Sequence, residues 1–420
     1  MGLAQYWKNI AHQASGNALA QLIAVGGIPI LTRIYSPEVF ALQGVFVQVV
    51  IFLSAIVLLR YEYVIPLLKD QAEAVMISVW AIRVGCIITV FLTACLWLLL
   101  LLSDGSIFGF QLSYLFLLAP ITAFLVSISV MVQNEAQRLI DFKRSAASEV
   151  VSKMFYIFSG VGFSVLPGGI GLLLTTGISA IGKTIALNRY IIFYRDVKGL
   201  QDSNDITMLV GQYKSRSVGM ILSNCILTAA TLIPLIFIGA KYGQNSLGQY
   251  SLVISTIFLP SALIGSAVGS VFYQKAASYW NEDRKAEITK LWHYTLVKLI
   301  FLSAPIYLII FLLSEWAYPF IFGEQWTQSG QIAKLISVSA FFSFLAGPLD
   351  RVTLILKIGY YLPLIHAMRL VAIISAVIFS EGSNASIDEF IVLFIVVMSF
   401  VYLVDIAAAR VLVGLRVRHD

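Results

Sequence analysis

Stretches of about twenty apolar residues, each closed by a short polar turn, recur along this chain from one end to the other. Inside a bilayer nothing but the segment itself can satisfy its backbone N–H and C=O groups, so a run of that length has to be a helix. Runs such as 75–102 and 388–409 therefore dictate a bundle of membrane-crossing helices. Composition points the same way. Hydrophobic residues make up 59% and charged residues 12% of the 420, outside the range of a soluble domain, and no long polar stretch remains to form a soluble catalytic domain. The chain reads as an all-α integral membrane protein.

Twelve spans are expected, near 10–32, 39–59, 75–102, 112–133, 149–166, 169–188, 217–240, 247–271, 292–314, 331–349, 360–379 and 388–409. Loop charge orients them. With both termini cytoplasmic, the loop cations from Lys8 and Arg60 through Arg138, Lys143, Arg144, Arg284, Lys285 and Arg351 to Arg416 fall inside, and the outer side receives only Arg33 and Lys241. That asymmetry also accounts for the net charge of +6 through contact with anionic lipid headgroups, with no need for nucleic acid. Residues 1–9 lack a signal-peptide pattern, so the first span is expected to be retained.

The longest polar connection divides the spans six and six. It predicts an N-terminal six-helix bundle over 1–195, a cytoplasmic linker over 196–215 and a C-terminal six-helix bundle over 216–420. The halves echo each other: Gly27-Ile-Pro29, Ser36-Pro37 and Phe52-Leu-Ser54 are matched by Leu232-Ile-Pro234, Gln244-Asn245 and Phe258-Leu-Pro260. An even number of spans per half makes these parallel, pseudo-symmetric repeats.

Certain motifs are more specific. Ser15-Gly-Asn17, Pro29-Ile-Leu-Thr-Arg-Ile-Tyr-Ser-Pro-Glu-Val-Phe40, Leu59-Arg-Tyr-Glu-Tyr-Val-Ile-Pro-Leu67 and Phe322-Gly-Glu-Gln-Trp326 resemble elements of bacterial polysaccharide flippases of the Wzx kind. Ala41 departs from the glycine usual in that family. The family belongs to the multidrug, oligosaccharidyl-lipid and polysaccharide exporter superfamily. The resemblance implies alternating-access translocation of an undecaprenyl-diphosphate-linked oligosaccharide across the bacterial inner membrane, for O-antigen, capsule or exopolysaccharide assembly. It also implies membrane lipids and the polysaccharide polymerase and chain-length machinery as partners. A cation-coupled multidrug exporter of the same superfamily is the alternative, and a membrane glycosyltransferase a further one.

Such a cargo needs cations along a polar path. Arg369 lies near the middle of its span, roughly 13 Å deep, where an unpaired charge costs several kcal/mol, so it must face protein or water. Lys153 and Arg369 fall in the fifth span of each half and together form a candidate diphosphate site, with Lys298 deeper in the ninth span. Lys153 and Lys183 lie close enough to span ends to snorkel instead. Arg33 and Arg60 stand at opposite mouths of the path, as anion contacts or as interfacial anchors. Arg60 and Glu62, two apart, would point away from each other on a helix. Glu62, Asp350, Asp405 and His366 are the candidate coupling or gating groups, each also a candidate for a structural ion pair or hydrogen bond. No phosphate-binding glycine-lysine loop and no helical histidine pair occurs, so neither ATP hydrolysis, a catalytic metal nor any other cofactor is expected. The chain reads as a transporter, not an enzyme.

Overall fold

A computed structural model describes residues 3–68, 70–103, 106–107, 110–111, 114–191, 203–356, 358 and 361–419. The chain is helical almost throughout. In order the helices are α1 (Leu3–Ile34), α2 (Pro37–Val57), α3 (Gln71–Leu102), α4 (Ala119–Arg138), α5 (Phe142–Gly162), α6 (Ile170–Ala186), α7 (Asn188–Ile191) and α8 (Ser203–Ile257). They continue with α9 (Ser266–Asn281), α10 (Lys285–Phe322), α11 (Thr327–Leu349), α12 (Val352–Ile355), α13 (Tyr361–Gly382) and α14 (Ile387–His419). A two-residue antiparallel hairpin, β1 (Ser106–Ile107) with β2 (Phe110–Gln111), joins α3 to α4.

Among the described residues nine helical stretches are long and apolar enough to cross a membrane. One of these, Ile206–Asn281, breaks at Gly243, whose φ of 88° only glycine adopts without strain, and so supplies two spans. The apolar part of α1, Ala18–Ile34, and the charge-bearing α5 complete the expected twelve. The break between α1 and α2 at 35–36 and the break at Gly243 fall at corresponding places in the two halves. Apolar side chains such as Ile87, Val90 and Phe91 on α3 are exposed, as a lipid-facing surface requires.

Two compact units result: Met1–Leu232 with Gly239–Gln244, and Ile233–Ile238 with Asn245–Asp420. Of the expected linker 196–215, residues 196–202 lie outside the described residues, and 203–215 open α8. In the first unit α5 packs on α1 and α6, and α4 on α2, α3 and α6. Helices in lipid gain nothing from hydrophobic exclusion and must approach closely. Gly27 of α1 provides that approach, since a Cβ there would lie 2.1 Å from the Ile157 side chain of α5. In the second unit α11 packs on α9, α10 and α14, and α13 packs on α14. Here a polar clasp supplements packing: Ser329 donates its backbone N–H (2.9 Å) and hydroxyl (2.6 Å) to Gln249 Oε1, and Gln249 Nε2 donates to the Gln325 carbonyl at 2.7 Å.

Candidate functional site

Glu149, Lys153 and Tyr156 follow one another at spacings of four and three, which places them on one face of α5. The face meets α4, α6 and α2. Glu149 Oε1 accepts from Lys183 Nζ of α6 at 2.7 Å and from Gln133 Nε2 of α4 at 2.8 Å. Lys183 is thus buried and paired with a carboxylate of the neighbouring helix. Lys153 feels the charges of both Glu149 and Lys183 and makes no ion pair among the described residues. One turn on, Tyr156 stands beside Thr175 and Gln43. Gln43 Nε2 donates to Thr176 Oγ1 at 3.2 Å, while its buried Oε1 lacks a partner. The stripe therefore carries two ammonium groups against one carboxylate, with a buried, unpartnered amide acceptor beyond them. Ammonium groups in excess of carboxylate are the donors a phosphate-type anion requires, and an amide oxygen is an acceptor for a hydroxyl.

The second unit carries its own charged set. Arg369 Nη2 of α13 lies 2.9 Å from Asp405 Oδ2 of α14, with the Asp405 side chain 1% exposed. Tyr361 donates its hydroxyl to Asp405 Oδ1 at 2.6 Å, and the Arg369 guanidinium sits 4.9 Å from the centre of the Tyr402 ring. Mid-span depth required Arg369 to face protein, and Asp405 and Tyr402 are what it faces. Asp350, the residue after α11, is pushed up to about 7 by burial and by the negative Asp405, against the pull of Arg369 and Arg351. His366 precedes Arg369 by three residues, and its Nδ1 is buried without a partner. Glu149 to Arg369 is 220 positions and Lys183 to Asp405 is 222, so the fifth and sixth spans of each half are bridged at corresponding steps with the charges exchanged.

The remaining sequence candidates sit on other elements. Lys298 is exposed on α10, 5.5 Å from the Tyr294 ring centre, and Arg33 is exposed in the last turn of α1. Arg60 and Glu62 do not point apart as helical spacing predicts. After α2 ends at Val57, Leu59 (φ 50°) and Arg60 (φ 59°) both turn left-handed, which folds Arg60 Nη1 back to 3.4 Å from Glu62 Oε1. Glu62 lies between spans, and burial pushes its carboxyl from 4.5 up to about 7, although Arg60 pulls it down. Sequence reasoning missed Glu149, Gln43, Gln133 and Tyr156. Only Glu149 left a signal, as a glutamate one turn before a lysine inside an apolar run.

Residues 30–331 match the model of a family described as polysaccharide biosynthesis protein. No curated protein matches this chain. Among solved structures, an inward-facing multidrug resistance MATE family transporter of the MOP superfamily superposes with a TM-score of 0.73 at 14% identity, over 97% of this chain and 96% of that one. An outward-facing transporter of the same description gives 0.61 at 12% identity, again over 97% and 96%. A MOP superfamily transporter from Pyrococcus furiosus, described as having a binding pocket of reverse polarity, gives 0.61 at 11% identity over the same shares. At such identities the likeness is one of fold.

Proposed function

The chain belongs to the polysaccharide biosynthesis protein family, and from that premise we propose that it moves a lipid-linked oligosaccharide across the membrane. The cargo is an undecaprenyl-diphosphate-linked repeat unit, and the membrane is the bacterial inner membrane. Alternating access of a transporter fold accomplishes the transfer, with no bond made or broken by the protein. One observation carries this reading: Lys153 of α5 and Lys183 of α6 stand against the single carboxylate of Glu149, beside the buried, unpartnered Gln43 Oε1.

The physical argument is one of matching. A diphosphate in a bilayer must exchange water for fixed donors, and Lys153, which no carboxylate neutralises among the described residues, is free to give that exchange. Arg369 is committed to Asp405, so in this proposal it supports the second unit and meets anions only when that pair opens. Lys298 and Arg33, both exposed, serve as outlying contacts along the way, whereas Arg60 is buried against Glu62 in its own turn. A cationic drug would meet two lysines on this stripe, which makes drug export the weaker reading.

In a strain lacking its own flippase, the protein should restore surface polysaccharide. Lys153→Gln, which keeps the stem and removes the charge, should cut that restoration about tenfold with the protein still in the membrane. Full restoration by Lys153→Gln, at equal membrane abundance, would remove the lysine from the path.

A further inference from the structure

We propose that Glu62 is a proton-binding site that latches the turn between α2 and α3 to the first part of α8. The turn is held in a conformation its own residues resist. Leu59 and Arg60 are consecutive non-glycine residues at positive φ, and such backbone persists only where its surroundings impose it. Here the surroundings are hydrogen bonds to the turn from two other helices. Ser217 of α8 donates its hydroxyl to the Leu59 carbonyl, and Asn134 of α4 donates Nδ2 to the Glu62 carbonyl at 2.8 Å. In return Tyr61 donates its hydroxyl to the Val210 carbonyl of α8 at 2.8 Å, with its ring edge-on to Trp80 of α3. All of these residues belong to the first unit.

Inside the latch sits an incompletely satisfied carboxyl. The Glu62 side chain is 1% exposed, its Oε1 has a long contact with Arg60, its own backbone N–H adds a second donor, and its Oε2 has no partner, nor does Arg60 Nε. A protonated carboxyl suits that site, whereas burial outweighs the two donors that a carboxylate would find there. The groups around it are few. Arg60 and Tyr63 face it from its own turn, Asn134 from α4, and Cys225 of α8 faces Arg60. Glu135 and Arg138, next on α4, are bound to each other. Glu62 is the sole carboxylate directed into the latch among these groups.

Linkage then fixes the sign. A carboxyl near 4.5 in an opened, hydrated turn and near 7 in the closed one binds its proton more tightly when closed. Closure is strongest below pH 4.5 and weakens by about tenfold per pH unit until pH 7, above which it is constant. Proton loss from Glu62 thus releases the first part of α8 from the turn. The latch stands on the geometry of this turn and is independent of the cargo.

Hydrogen exchange of the purified full-length protein in lipid nanodiscs tests this, read at the amides of Tyr61, Tyr63 and Val64, which bond within the turn. After correction for intrinsic exchange, wild-type protection should fall more than tenfold between pH 5 and pH 7. Glu62→Gln, a mimic of the protonated acid, should stay protected and flat across the range. Ser217→Ala should lower protection at every pH with the pH dependence retained. A wild-type profile without a transition in this window overturns the proposal whatever the variants do, as does a Glu62→Gln profile that follows the wild type.

Discussion

Removing one member of a buried ion pair leaves the other charged and unanswered, which makes Arg369–Asp405 a sharp test at the scale of single residues. Arg369→Ala or Asp405→Ala alone should cost about 3 kcal/mol or more of stability, whereas the double variant should recover much of that loss. Thermal unfolding in detergent checks the cycle, and additive losses would show that the two do not act as a pair. Arg369 was legible in the sequence because depth alone forbids an exposed guanidinium at mid-span. Lys183 was not, because its partner Glu149 lies 34 residues away on another helix and no spacing rule connects them. The Arg60–Glu62 contact was hidden for a different reason: it exists only because Leu59 and Arg60 leave the helical region, which neither residue type advertises.

Helices meet where their side chains let them, and α1 with α5 shows how narrowly. Gly27→Val should destabilise the protein by about 1–3 kcal/mol, since Ile157 occupies the space a Cβ needs. Gly26→Val, one position away with nothing within 4 Å, should be tolerated. Comparing the melting temperatures of the two variants decides it, and equal losses would contradict the close approach. At this scale the apolar runs gave most spans directly. Helix α5 was readable as a span only with its charges accepted as buried: Glu149 and Lys153 lower its apolarity, and they do so because they face protein. The polar residues 203–215 suggested a linker, yet they continue without a break into the apolar part of α8, since nothing in them stops a helix. A glycine marks the break in α8: Gly243 adjoins the Gln244-Asn245 turn expected between the spans 217–240 and 247–271, whereas Gly211 and Gly219, inside or before an apolar run, stay helical.

The whole molecule is a pseudo-symmetric helical fold in which each half bridges its fifth and sixth spans by an ion pair, with the charges exchanged between halves. The first half adds to its pair Lys153, a cation without an ion pair among the described residues, whereas the second adds the carboxyl of Asp350 and the cation of Arg351. That difference gives the two halves unequal roles in the proposed function, the first as the anion-holding half. The decisive measurement places purified protein in vesicles carrying a fluorescent undecaprenyl-diphosphate oligosaccharide and follows its loss from one leaflet with a membrane-impermeant quencher. The wild type should move the lipid to the other leaflet, Lys153→Gln should do so about tenfold more slowly, and an undecaprenol-linked sugar lacking the diphosphate should move poorly. No transfer above protein-free vesicles, or equal transfer with and without the diphosphate, would contradict the account.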